Sequence, residues 1–69
     1  MRRHARAVIE ELLEGPETTL MDSISHDRKS ADNRANYLTR VAREMGVPNV
    51  TASCKYYEPT SAFIVRISK

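Results

Sequence analysis

The apolar residues at the start of the chain recur at the spacing of an amphipathic helix. Within residues 2–14 they lie three and four positions apart, at Ala5, Val8, Ile9, Leu12 and Leu13, which places them on one face of a helix. Gly15 and Pro16 predict the end of this helix, with Gly15 in a left-handed conformation. The pattern therefore predicts a helix near residues 3–14 with Leu13 among its buried side chains.

The pattern of residues 17–30 leaves two structures open. Residues 18–24 read Thr-Thr-Leu-Met-Asp-Ser-Ile, and their β-branched side chains favour a short strand. Leu20 and Ile24 lie four positions apart, which suits a short helix equally well. Residues 25–30 are polar and indicate a turn or loop. If residues 18–24 are extended, the chain becomes α-β-α-β-β, with a small sheet backed by two helices.

A second amphipathic helix is predicted for residues 31–45. Its apolar stripe follows steps of four, three, four and three, at Ala31, Ala35, Leu38, Ala42 and Met45. Ser30 is the predicted N-cap. Gly46 and Pro48 predict the stop, with Val47 folded back on the last turn. At about 100° per residue, the side away from the stripe carries Asn33, Asn36, Tyr37, Arg40 and Arg43, which are predicted to be exposed.

Two β-rich runs, 50–57 and 62–68, predict a hairpin around Glu58-Pro59-Thr60-Ser61. Pro59 suits the second position of a type I turn that begins at Glu58. Pairing Tyr57 with Ala62 aligns three largely apolar pairs on one face: Tyr56–Phe63, Cys54–Val65 and Ala52–Ile67. The other face then carries Thr51, Ser53, Lys55, Tyr57, Ile64, Arg66 and Ser68. A slip of one residue would mix the two faces, so the register is well specified.

These elements predict a single α+β domain in which two amphipathic helices pack on a C-terminal β-hairpin, with a third short strand as the open alternative. The predicted core consists of Ile9, Leu12, Leu13, Leu38, Ala42, Met45, Val65 and Ile67. A chain of 69 residues buries only about 60% of its unfolded surface. With three Tyr, one Phe and no Trp, the core must rest on aliphatic side chains or gain area from a second copy.

Composition excludes several classes of site. The single cysteine, Cys54, cannot form an intramolecular disulfide or a cysteine-based zinc site. Ser25, His26 and Asp27 are adjacent, and adjacent residues cannot form a catalytic triad. There is no glycine-rich phosphate loop and no apolar run of signal-peptide or membrane-span length. We therefore expect a cytoplasmic protein that is not an enzyme and uses no cofactor, no metal and no membrane.

Positive charge is concentrated in the second part of the chain. The net charge is +2. Residues 1–24 carry three Arg against five Asp and Glu, a balance of −2, and residues 25–69 carry eight Lys and Arg against four Asp and Glu, a balance of +4. A basic half that contains a helix with Asn and Arg on one side is typical of nucleic-acid binding, since Asn pairs with adenine and Arg with guanine.

The leading hypothesis is a regulatory protein that binds duplex DNA, rather than RNA, with the second helix and the basic hairpin. The residues predicted to read bases are Asn33, Asn36, Arg40 and Arg43, and those predicted to contact the backbone are Arg28, Lys29, Tyr37, Lys55 and Arg66. Tyr57 is predicted to stack on bases if the ligand is single-stranded. The alternative is a protein-interaction module that binds and modulates a host protein, or a homodimer, through exposed Tyr37, Tyr57 and Ile64.

Three segments resemble parts of winged helix-turn-helix domains. Residues 8–16 resemble the first helix and its exit turn, residues 37–47 the end of a recognition helix, and residues 50–68 the two wing strands. The resemblance implies a winged-helix fold and a role in transcription regulation. The sequence departs from the family between the helices, where the usual tight turn, often containing glycine, is missing. In size and style the chain is also similar to small accessory proteins of bacteriophages.

Overall fold

The computed structural model describes residues 4–69, which form two helices and three strands. In chain order these are α1 (Ala5–Glu14), β1 (Thr19–Ser25), α2 (Arg28–Glu44), β2 (Thr51–Tyr57) and β3 (Ala62–Ser68). The strands form one antiparallel sheet in the order β1-β3-β2. The α+β class is thus confirmed. The segment left open in the sequence is a strand, so a strand separates the two helices.

The apolar face of α1 is buried against the rest of the domain. Ala5, Val8, Ile9 and Leu12 are almost fully inaccessible. The expectation that Leu13 is buried is wrong: its side chain is 37% exposed, because it lies about 90° around the helix from the centre of the buried arc. The predicted start of this helix at residue 3 lies outside the described residues.

The end of α1 differs from the left-handed glycine stop that the sequence predicts. Gly15 has φ −88° and ψ 170°, because a residue that precedes proline is restricted to extended conformations. The last carbonyl groups of the helix are satisfied from the other end of the chain. Lys69 Nζ donates to Leu12 O at 2.7 Å and to Gly15 O at 2.9 Å, which replaces a glycine cap with a charged side-chain cap.

The start of α2 lies three residues earlier than predicted, and its N-cap is Asp27 instead of Ser30. The Asp27 carboxylate accepts hydrogen bonds from the Ser30 hydroxyl at 2.8 Å and from Lys29 N at 3.3 Å. These two bonds, the hydroxyl first, lower the pKa of the Asp27 carboxyl. The prediction of a loop across residues 25–30 is therefore wrong for residues 28–30, because an aspartate cap satisfies the first turn.

The end of α2 forms the predicted stop around Gly46. Gly46 has φ +81°, its N–H donates to Arg43 O at 3.0 Å, and Val47 N donates to Ala42 O at 3.0 Å. This pair of hydrogen bonds defines a Schellman motif. It fixes the direction in which the chain leaves α2 toward β2.

The predicted hairpin register is confirmed along its whole length. Tyr57 pairs with Ala62, Tyr56 with Phe63, Cys54 with Val65 and Ala52 with Ile67. The turn is one of 3-10 geometry in which Ser61 N donates to Glu58 O at 3.0 Å. Ser61 itself is left-handed, with φ 51°. Side chains at 52, 54, 63, 65 and 67 belong to the core, so we call their side the inner face of the sheet and the other side the open face.

Strand β1 contains a β-bulge that changes which of its side chains face the helices. Met21 pairs with Arg66 and Ser23 pairs with Val65, so Asp22 is the extra residue of the bulge. Asp22 and Ser23 therefore both point toward the inner face, and the alternation that follows turns Ile24 outward. Ile24 is accordingly 53% exposed.

The helices cover the inner face and enclose an aliphatic core. Of the eight side chains predicted there, six are fully buried: Ile9, Leu12, Leu38, Ala42, Val65 and Ile67. Met45 is half-buried against them. Val50 and Val41 also belong to the core, together with the small residues Ala5, Ala31 and Ala35.

Candidate nucleic-acid interface

The outward side of α2 carries a line of basic and amide side chains, which we call the α2 ridge: Lys29, Asn33, Asn36, Arg40 and Arg43. All five are exposed. At about 100° per residue they fall within an arc of about 80°, opposite the buried stripe. The ridge extends about 21 Å along the helix axis, since fourteen residues separate its ends. The exposure of four of these residues was predicted from the sequence. Lys29, expected in a loop, lies instead in the first turn of the helix.

The cations of the ridge are available to a ligand. Within residues 4–69, none of Lys29, Arg40 and Arg43 has a carboxylate within ion-pair distance. The Arg40 guanidinium lies over the ring of Tyr37, 5.4 Å from its centroid, and Tyr37 is 41% exposed, as predicted. A cation that stacks on an aromatic face is partly ordered without being neutralised.

The orientation of α2 on the sheet depends on a buried ion pair between Arg34 and Asp22. Arg34 Nε donates to Asp22 Oδ2 at 2.8 Å and Arg34 Nη2 donates to Asp22 Oδ1 at 2.9 Å, while their side chains are 8% and 0% exposed. This bidentate hydrogen bonding raises the pKa of Arg34. The guanidinium also approaches the Tyr37 ring, 5.9 Å from its centroid. Asp22 reaches α2 from the inner side of β1, at the position of the bulge.

Sequence reasoning did not identify this pair, although it contained a signal. Arg34 lies three residues after Ala31 and four before Leu38, which places a cation on the buried stripe of α2. A cation at such a position requires a buried anion. Asp22, inside the short β-branched segment, is that anion.

Arg28 occupies the flank of α2 next to β2. It lies in the first turn of the helix, not in the loop expected from the sequence, and its side chain is 78% exposed. Arg28 Nε is 3.8 Å from Asp32 Oδ2. Asp32 Oδ1 also accepts a hydrogen bond from Cys54 Sγ at 2.7 Å, and this bond raises the pKa of the Cys54 thiol. Arg28 is thus beside the ridge and not part of it.

Three of the predicted contact residues lie on the open face of the sheet, which is the opposite side of the domain. Lys55, Tyr57 and Arg66 occupy outward positions of β2 and β3 and are exposed. The helices cover the inner face, and the α2 ridge points away from the sheet. The expectation that helix and hairpin form one continuous surface is therefore wrong. The two basic groups point in opposite directions because α2 packs its apolar stripe onto the apolar face of the hairpin.

A small cleft of about 190 Å³ opens between β1 and the start of α2, lined by Ser23, Ile24, Ser25, Ser30, Ala31 and Arg34. Its hydroxyl groups already have protein partners. Ser23 donates to Asp22, while Ser25 and Ser30 donate to Asp27. The cleft therefore serves the helix cap and the buried ion pair.

Other classes of site find no support in the described residues. Within residues 4–69 no three His, Cys, Asp or Glu side chains are grouped to hold a metal ion. Neither helix of this part of the chain has the length and apolar character needed to cross a bilayer.

Comparison with protein-family models, curated proteins and solved structures finds no match to this chain. The resemblance to winged helix-turn-helix domains is not confirmed. In such domains two helices are joined by a tight turn, whereas β1 lies between α1 and α2. The fold shown is a two-layer α+β domain with a three-stranded antiparallel sheet.

Proposed function

We propose that this protein binds duplex DNA with the α2 ridge. The observation that carries the proposal is that the central outward arc of the 17-residue helix, about 80° wide, holds five exposed cations and amides, and that none of its cations has a carboxylate partner in the described residues. A surface helix that needed only solvation would usually mix both signs of charge along that side.

The dimensions of the ridge suit the major groove. An α-helix with its side chains is about 10–12 Å across and the groove is about 12 Å wide. Asn33 and Asn36 have the donor and acceptor pair that recognises adenine, and Arg40 and Arg43 have the paired donors that recognise guanine. Lys29, at the beginning of the ridge, is suited to a phosphate. Tyr37 holds the guanidinium of Arg40 in place, which reduces the entropy that binding must overcome.

Glu44 is an acidic neighbour of the ridge. Its side chain is exposed in the last turn of α2. Around the helix axis it lies about 20° beyond Asn33, just outside the ridge. A carboxylate at this position repels phosphates. On the proposed mode of binding, Glu44→Gln raises affinity, and the gain disappears at high salt because it is electrostatic.

The separation of the two basic groups gives the experiment a matched control. The Arg40→Ala/Arg43→Ala double variant and the Lys55→Ala/Arg66→Ala double variant each remove two exposed cations from opposite sides of the domain. Binding of each protein to a mixed-sequence duplex is measured by fluorescence anisotropy over a range of salt concentrations. If the ridge binds, only the first variant loses affinity.

The salt dependence supplies a second readout. With Lys29 on a phosphate and Arg40 and Arg43 on bases, loss of the two arginines should cost about 1–3 kcal/mol per base contact and relax sequence specificity, whereas Lys29→Ala should weaken binding to all sequences alike and reduce the magnitude of the slope of log K against log salt by about 0.9. If the Lys55/Arg66 variant loses binding instead, the ridge is not the interface. If the wild-type protein does not bind duplex DNA at low salt, the proposal is refuted.

A further inference from the structure

Within residues 4–69 no element covers the open face of the sheet, which exposes large apolar side chains. Met21 is 57%, Ile24 53% and Tyr57 48% exposed, and Ile64 lies between them on the central strand, half-buried. Both helices pack on the other side. Contiguous exposure of this kind marks a surface that binds another molecule.

The strand register places the apolar side chains and the cations of this face along two parallel diagonal lines. One row across the sheet is Ile24, Ile64 and Lys55, and the row before it is Met21, Arg66 and Ser53. The apolar side chains therefore run from β1 across β3 to Tyr57 on β2. The two cations, Arg66 and Lys55, run alongside them on the β2 side. From the spacing of strands and residues, the apolar diagonal is about 17 Å long.

The β-bulge at Asp22 is responsible for this arrangement. With regular alternation after Leu20, residues 22 and 24 would face the helices and Ser23 would face outward. The bulge leaves Asp22 facing the helices but reverses the next two residues, so that Ser23 is turned in and Ile24 is turned out of the core. Bulges re-aim side chains in this way next to functional surfaces, and here the bulge brings Ile24 beside Ile64 in one apolar patch on the open face.

We infer that the open face binds an acidic amphipathic helix of a partner protein. About 17 Å is the length of an 11-residue helix, whose apolar stripe would lie on the apolar diagonal. Carboxylates beside that stripe would meet Arg66 and Lys55. Among the described residues, the outward positions of the three strands include no Asp or Glu, so the partner must supply the negative charge.

Two other occupants fit the same face less well. A second copy of this chain would add two more cations and no carboxylate, because its open face is the same. A single strand of nucleic acid would neutralise Arg66 and Lys55, but only Tyr57 offers a ring on which a base can stack. The aliphatic and thioether side chains of Ile24, Ile64 and Met21 suit a protein.

The test uses the full chain, ¹⁵N-labelled, and a designed helical peptide of about 14 residues with leucines along one stripe and glutamates beside it. We expect saturable amide shifts at residues 21, 24, 57 and 64, with at least tenfold weaker binding of a matched peptide in which lysine replaces each glutamate. The Lys55→Glu/Arg66→Glu variant should reverse this preference. Its own spectrum shows whether the fold is retained.

Several results would overturn the inference. These are equal affinity for the two peptides, no saturable shift on the open face at millimolar peptide, or a concentration-dependent dimer that uses this face. Tighter binding of an oligo-dT strand than of the acidic peptide on the same residues would identify nucleic acid as the occupant. The Arg40→Ala/Arg43→Ala variant should bind the peptide normally, so this test is independent of DNA binding by the α2 ridge.

Discussion

Replacement of Arg34 by methionine tests how α2 is held on the sheet. Methionine keeps most of the apolar volume of the arginine stem but leaves Asp22, whose side chain is fully buried, without the guanidinium that donates to both of its oxygens. Removal of one partner from a buried ion pair destabilises proteins by about 3–5 kcal/mol. A domain of this length has roughly 3–10 kcal/mol of stability in total. The variant is therefore expected to lose a large part of the free energy of unfolding.

The double replacement Asp22→Leu/Arg34→Met provides the comparison that isolates the pair. With both charges removed, no ion is left buried, and much of the stability should return, since apolar replacements of buried pairs are often neutral or stabilising. Urea unfolding followed by circular dichroism gives the free energy of unfolding for the wild type, the two single variants and the double variant. The coupling free energy from this cycle should be at least about 2 kcal/mol.

A small effect would refute this reasoning. If Arg34→Met lowers the free energy of unfolding by less than about 1 kcal/mol, the pair is solvated in solution and does not anchor α2. Arg34→Lys separates charge from geometry, because lysine retains the charge but cannot form the two parallel hydrogen bonds. It should lie between the wild type and the methionine variant.

Four further outcomes are expected. Leu38→Ala should lower the free energy of unfolding by about 2–5 kcal/mol in urea titrations, because Leu38 is fully buried. Gly46→Ala should cost about 1 kcal/mol, from the left-handed backbone alone, since an added Cβ meets no atom within 4 Å. The pKa of the Asp27 carboxyl is lowered from its ordinary value of 3.8. The stability that this carboxylate contributes is therefore present above pH 3.8 and is lost as the pH falls through the folded-state pKa. Asp27→Asn keeps the helix cap but removes the titrating group, so the free energy of unfolding should depend less on pH in this range. The pKa of the Cys54 thiol is raised by its hydrogen bond to Asp32, so Cys54 should alkylate more slowly than a free thiol at mildly alkaline pH, and Asp32→Ala should accelerate the reaction.

The parts of the fold that follow from neighbouring residues could be predicted from the sequence. The hairpin register depends on the alternation within 50–68 and on one turn, and the stop of α2 depends on Gly46 and the residues beside it. In both cases a few adjacent positions contain the whole physical cause. The exposure of the α2 ridge followed in the same way from helical periodicity.

Strand β1 could not be assigned from the sequence because its bulge breaks the alternation by which strands are recognised. Asp22 interrupts the pattern, and Leu20 and Ile24, which suggested a helical spacing, lie on opposite faces of the sheet. The bulge residue Asp22 pairs with Arg34, twelve residues away in α2. An ion pair between two elements is visible only once both elements are placed.

The sequence contains the information that the two basic surfaces lie on opposite sides of the domain, but this was not inferred from it. The stripe that includes Leu38 must be covered by the apolar hairpin face that includes Val65. The two sides that remain, with Arg40 on one and Arg66 on the other, then point in opposite directions. The positions of both sets of side chains were predicted, and the error lay in assuming that they met.

The strand order β1-β3-β2 has a consequence for how the domain forms. The central strand, Ala62–Ser68, is the last element of the described chain, and both edge strands hydrogen-bond to it and not to each other. Until these residues are available, β1 and β2 have no sheet to join. Their pairing with β3 also spans from a few to almost fifty positions of sequence. The β2–β3 hairpin closes only a short loop, so we expect it to form first and the addition of β1 to be the slower step, because a much longer loop must close.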